Sequence, residues 1–151
     1  MAESRSWAII TALAAQLATI TVANGYNTDV GNNVWTTDAQ RPSEDALGLM
    51  IYSESITGGG IDNALPGKPV REFTLLIEAA IGTDQDTAQQ QIHNVIEDVE
   101  TCMKAYAKAQ AMRPELKQVT PMAVVDIAIL DRPEGAAVIA MQARVVARYF
   151  R

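Results

Sequence analysis

"TVANGYNTDVGNNVW", Thr21 to Trp35, decides the fold, because one periodicity ends in it and another begins. Upstream, Ile10, Leu13, Leu17 and Ile20 recur at spacings of three, four and three, the stripe of a helix with one buried face. Ser4 or Ser6 offers a side-chain oxygen to cap its start. Gly25 can take the left-handed conformation that closes a helix, so Asn24-Gly25 is expected to terminate it. Downstream, Val34-Trp35-Thr36-Thr37 has the β-branched and aromatic character of a short strand. The junction carries no charge cluster and no ligand set.

Beyond the polar break Arg41-Pro42-Ser43-Glu44-Asp45, Leu47, Leu49 and Ile51 alternate with Gly48, Met50 and Tyr52, which predicts a second strand to about Glu54. "SITGGGIDNALPGKP", Ser55 to Pro69, is rich in glycine and proline and is expected to be a long flexible loop. A third strand follows, with Phe73, Leu75, Ile77 and Ala79 on one face and Glu72, Thr74 and Glu78 on the other. Ala88, Ile92, Val95, Val99, Cys102 and Tyr106 then form a helical stripe, widened by Ile96 and Met103. Thr83 is its expected N-cap, Asp84 and Asp86 suit the positive end of its dipole, and Pro114 requires it to stop by about Met112. "MAVVDIAILD" and "AAVIAMQARVVARYF" flank the turn residues Arg132-Pro133-Glu134-Gly135 and predict a C-terminal hairpin. The order predicts one α+β domain over residues 1–151, a mixed sheet with two helices on one face.

The totals narrow the function classes. A chain of 151 residues suits a single core. A formal net charge of −6 argues against a general nucleic-acid binder. The single cysteine, Cys102, excludes an internal disulfide and a cysteine-rich metal cage. Trp7 to Val22 is nearly free of charge, but Glu3 and Arg5 make a poor signal-peptide start and the stretch is short for a membrane span. No membrane association is expected.

Signatures of catalysis fail one by one. Gly67-Lys68 invites a phosphate-loop reading, yet Asp62 stands where the first glycine belongs and Pro69 where the metal-binding hydroxyl belongs. His93 and Glu97 make an i, i+4 pair with no second histidine to complete a metal site, and both fall on a polar helix face. No G-x-S-x-G elbow occurs, and Cys102 lies on an apolar stripe where it reads as a small core residue. No cofactor, metal or catalytic residue is expected.

Two charged stretches remain. Glu72 to Glu100 holds seven acids and no Lys or Arg, either a solvated face or an acidic surface that meets a basic partner. In the last strand Gln142, Arg144 and Arg148 share a face with Val138, Val146 and Phe150. That face reads either as a sheet edge protected by charge or as an assembly surface.

The order of elements resembles the tail-terminator family of long-tailed bacteriophages, the U-type minor tail proteins. The resemblance rests on "ALAAQLATITVANGYNTDVGNNVW", the "PGKPVREFTLLIEA" strand after a flexible loop, the "QQQIHNVIEDVE" helix and the closing hairpin. It implies a non-enzymatic virion protein that assembles in the host cytoplasm, at the head-proximal end of the tail. Such proteins form a ring, usually a homohexamer, on the finished tail tube and stop its polymerisation. They dock to the head–tail connector protein and leave a lumen through which DNA passes as cargo. The implied partners are thus further copies of the chain, the tail tube protein and the connector. By region, the resemblance assigns the Ser55–Pro69 loop, with Gly58, Gly59, Gly60 and Lys68, to an intersubunit or tube-facing arm, and Arg71 just beyond it is a further interface candidate. It assigns Glu97 and Glu100 to a ring surface, while Arg144 and Arg148 are interface candidates on the strand argument alone. The acidic stretch and the basic strand are expected to meet between neighbours. A head-completion or stopper subunit is the nearest alternative, and a small ligand-binding or enzymatic α+β domain the alternative from another class.

Overall fold

The computed structural model describes residues 4–36, 47–58, 70–82, 87–112, 122–130 and 138–150. The expected elements form. Helix α1 spans Arg5–Leu17 and helix α2 spans Ala88–Met112. Strands β1 (Val34–Trp35), β2 (Leu49–Thr57), β3 (Val70–Gly82), β4 (Ala123–Leu130) and β5 (Val138–Phe150) make one sheet in the order β1-β2-β3-β5-β4. β1 runs parallel to β2, and the other neighbours are antiparallel. The result is the mixed-sheet α+β domain that the patterning predicts.

The period of two in β3 and β5 places the core. Phe73, Leu75, Ile77, Ala79 and Ile81 are buried beside Met141, Ala143, Val145 and Ala147, in register along the central pair. The helices cover this face: α1 contributes Ile9, Ile10, Leu13 and Leu17, and α2 contributes Ile92, Val95, Val99 and Cys102. Packing α1 over β1 and β2, and α2 over β3, β4 and β5, makes one continuous core. No described helix is long and apolar enough to cross a membrane.

The opening stretch behaves differently from its expectation in one respect. Ser4 caps α1, its hydroxyl accepting from the Trp7 amide at 3.2 Å, but the helix ends at Leu17 and not at Asn24-Gly25. The β-branched run Thr19-Ile20-Thr21-Val22 costs helix stability, and the Thr19 hydroxyl bonds back to the Gln16 carbonyl at 2.6 Å. Gly25, at φ 93°, caps a separate 3₁₀ turn, Val22–Asn24. A second such turn, Val30–Asn32, leads into β1.

One further boundary moves, and one reading of the sheet changes. β2 continues to Thr57, so Ser55, Ile56 and Thr57 belong to the sheet and not to a loop. Its register shifts between Ser53 and Ser55, a bulge at Glu54. β5 lies between β3 and β4, so the reading of its charged face as a sheet edge is wrong: β4 is the edge, because the hairpin folds outward from β5. The expected cap Thr83, the acids Asp84 and Asp86, and the hairpin turn Arg132–Gly135 lie outside the described residues.

Candidate functional surface

The face of the sheet away from the helices carries the basic residues of β5, and each has an acceptor within the chain. Glu72 and Arg148 are cross-strand partners, with Arg148 Nε 3.3 Å from Glu72 Oε2. Gln142 Nε2 donates to its register partner Glu78 at 3.1 Å. Arg144 lies opposite Leu76 on β3 and reaches across that strand to Glu54, donating from Nε at 3.2 Å and Nη2 at 3.3 Å. Asp126 on β4 stands 4.0 Å from Arg144 on the other side. A polar ladder thus links β2, β3, β5 and β4. The acidic stretch and the basic strand do meet, but at Glu72 and Arg148 they do so inside one subunit. The ion pairs of Arg144 and Arg148 are largely solvent-exposed, so each is worth about 0.2–1 kcal/mol.

The other candidates separate. Gly58 sits beside Arg71, where an added Cβ would lie 3.7 Å from the guanidinium. Arg71 is half-buried on β3, opposite Tyr149. Gly59, Gly60 and Lys68 lie outside the described residues. On α2, Glu97 is exposed and accepts from Asn27 Nδ2 at 3.3 Å, whereas Glu100, nearly one turn further on, is half-buried and borders a groove along β4. Arg144 and Arg148 lie on the far face of the sheet. The structure therefore does not gather the candidates into one site.

Between Glu97 and Glu100 is a residue that the sequence reading grouped with the acidic surface. Asp98 is only 2% exposed. Its carboxylate accepts from the Asn27 amide at 2.9 Å, the Thr28 amide at 2.8 Å and the Thr28 hydroxyl at 2.6 Å. Asp29 acts likewise one step along the chain, accepting from the Val22 amide at 2.8 Å. The Asp98 bonds tie the "NGYNTDVG" segment to α2, the Asp29 bond closes the segment on itself, and both satisfy amides that no helix or strand ladder serves. The signal was present: Asp98 follows Val95 by three positions and precedes Cys102 by four, on the apolar stripe. Nearby, burial, reinforced by the Cys102 thiol, raises the Tyr26 phenol above its usual pKa of 10.0.

The least finished part of the described surface is β4. Only Val124 and Ile127 along it are half-buried, and Val125, Ile129 and Leu130 are 56%, 43% and 38% exposed. Beside it runs an open groove of about 530 Å³, lined by Met103, Met122, Val124 and Ile127 with Glu100 and Lys104 at its rim. Among the described residues no group of three His, Cys, Asp or Glu side chains converges in a way that would hold a metal ion.

Such an arrangement belongs to a class defined by its surfaces: an α+β domain with an apolar edge strand and a polar ladder on its open sheet face. Comparison with protein-family models and with curated proteins gave no match to the sequence.

Proposed function

We propose that this chain is a structural subunit of a bacteriophage tail. In this reading it forms a ring that caps the tail tube, ends tube polymerisation and presents the surface on which the head connector docks. The observation that carries the reading is β4. An eight-residue edge strand whose exposed side chains include Val125, Ile129 and Leu130, with Asp126 its one charge, carries a register shift at Val125 but lacks the lysines, prolines and inward charges by which many stable monomers blunt their edges. Apolar edges of that kind are characteristic of chains that assemble. The resemblance of the element order to tail terminators supplies the particular assembly. A heterologous contact that closes by rotation gives a ring.

The test is to add the purified protein to tail tube protein while it polymerises. Capped tubes with a ring at one end, and arrested elongation, are the expected result. A stopper subunit would leave tube growth unchanged and bind the connector of filled heads. Unaltered growth with no binding to either would remove the reading.

The groove between α2 and β4 favours a second reading, a ligand-binding domain, since its volume lies within the 300–1,000 Å³ typical of small-molecule sites. It is open along the strand edge, however, and its rim charges Glu100, Lys104 and Asp126 are of mixed sign. Protection of Met103 and Met122 by a small metabolite, in exchange or chemical-shift measurements, would revive that reading.

A further inference from the structure

We infer that two copies of this chain join edge to edge, with β4 of one subunit adding as an antiparallel strand to the Ser53–Thr57 segment of β2 in the next. The inference rests on the ring reading for its occupant, a second copy, and specifies the surfaces involved. Among the described residues, β4 pairs only with β5, leaving its outer row of amides and carbonyls without a ladder. At the opposite side of the sheet, β1 pairs only with Leu49 and Met50, so the Ser53–Thr57 stretch has a described strand, β3, on one side only. The sheet thus offers two different edges, which is what a head-to-tail contact needs.

Direction and side chains agree. β2, β3, β5 and β4 alternate in direction, so β2 and β4 point opposite ways. A neighbour placed alongside in the same orientation then presents β2 antiparallel to β4, the more stable pairing. On the helix side, β4 brings Ile127 and Ile129, in register with Ala143 and Met141. β2 brings Ile56, in register with Phe73 and 49% exposed, next to Trp7, which is 44% exposed. In a continued sheet these side chains fall on one face and cover one another.

Area decides between a dimer and a ring. Five residues at about 3.4 Å each, across a sheet about 10 Å thick, make a contact of roughly 170 Å² per partner. Even with the side chains added, that is far below the roughly 800 Å² per partner of a stable pair. A closed ring gives every subunit two seams, and the last seam forms without further loss of translational freedom. Free dimers are therefore not expected to accumulate; monomers and closed rings are.

Single-cysteine exchange tests this on the full chain, whose own Cys102 is buried and does not compete. Asp126→Cys, Ala128→Cys and Leu130→Cys scan the open face of β4, and Ser55→Cys marks that face of β2. Under mild oxidation, a disulfide is expected in at least one mixture of a β4 variant with the β2 variant, and in none of the variants alone. A β4 variant that cross-links to itself would replace the seam by a two-fold contact and overturn the inference. Rings visible by electron microscopy without any mixed disulfide would overturn the seam and leave the ring reading intact. A mixed disulfide in a protein that neither caps tubes nor binds connectors would retain the seam and reject the tail function. The Val125→Lys/Ile129→Lys double variant, at exposed positions, is expected to keep its circular dichroism and lose the cross-link. A retained cross-link would count against the seam.

Discussion

Asp98→Ala tests whether the "NGYNTDVG" segment is held by α2 or merely passes it. The substitution removes three hydrogen bonds of 2.6–2.9 Å and leaves two amides and a hydroxyl without their acceptor in a part-buried position. Bonds to charged acceptors are worth about 1.5–3 kcal/mol each, but three donors share one carboxylate and water entry offsets part of the loss. A net cost of about 3–5 kcal/mol is expected, a large share of the roughly 5–15 kcal/mol of a typical domain. At about 2–4 °C per kcal/mol for a chain of this size, the melting temperature falls by roughly 6–20 °C. Urea denaturation followed by circular dichroism reads the cost, with Glu97→Ala as the control one residue away. Glu97 is exposed with one 3.3 Å contact, so its loss is expected to stay within about 0.5 kcal/mol. Thr28→Val closes a double-mutant cycle with Asp98→Ala and is expected to show a coupling of at least about 0.5 kcal/mol. Equal costs for the two acids, or a cost below about 1 kcal/mol for Asp98→Ala, would refute the assignment.

Gly31→Ala places a Cβ 2.6 Å from the carbonyl oxygens of both Leu17 and Ile20, backbone that cannot swing aside, and is expected to cost about 1–3 kcal/mol by thermal denaturation. Gly25→Ala meets open space and carries only the left-handed strain of φ 93°, about 1–2 kcal/mol, so it is expected to be the milder of the two. Arg148→Ala breaks an exposed pair with Glu72 and is expected to change stability by less than about 1 kcal/mol, which urea titration checks. The raised Tyr26 pKa means that the folded state holds the phenolic proton more tightly than the unfolded chain. Its contribution is complete below the ordinary value of 10.0 and is lost as pH rises towards the raised one. Tyr26→Phe is therefore expected to lose less stability than the parent between neutral pH and the alkaline range, measured by denaturation across that range.

The elements were legible because each has a strong period and a buried partner. β3 alternates from Phe73 to Ala79 because one of its faces packs under α2, and the buried stripe of α2 runs from Ala88 to Met103 with Asp98 its one charged member. Where the reading slipped, non-local contacts overrode local signals. Gly25 looks like the end of α1, but the chain leaves the helix at Leu17 and is held by Asp29 and Asp98, acids distant in sequence or hidden in a polar run. Ser55–Thr57 looks like loop because it leads into glycines, yet pairing with Glu72, Phe73 and Thr74 keeps it in the sheet. Strand order is set by register across the whole sheet, so nothing in "AAVIAMQARVVARYF" distinguished an inner strand from an edge. The face of Arg144 and Arg148 followed from the period of two; their acceptors Glu54 and Glu72 required the sheet.

The central claim is that this chain works by closing a ring on a growing cylinder and not by making or breaking a bond. Electron microscopy of phage particles assembled without it measures that most directly. Tails that overrun their normal length, restored to a single length when the protein is supplied, are the predicted result. Tails of normal length in its absence would contradict the account.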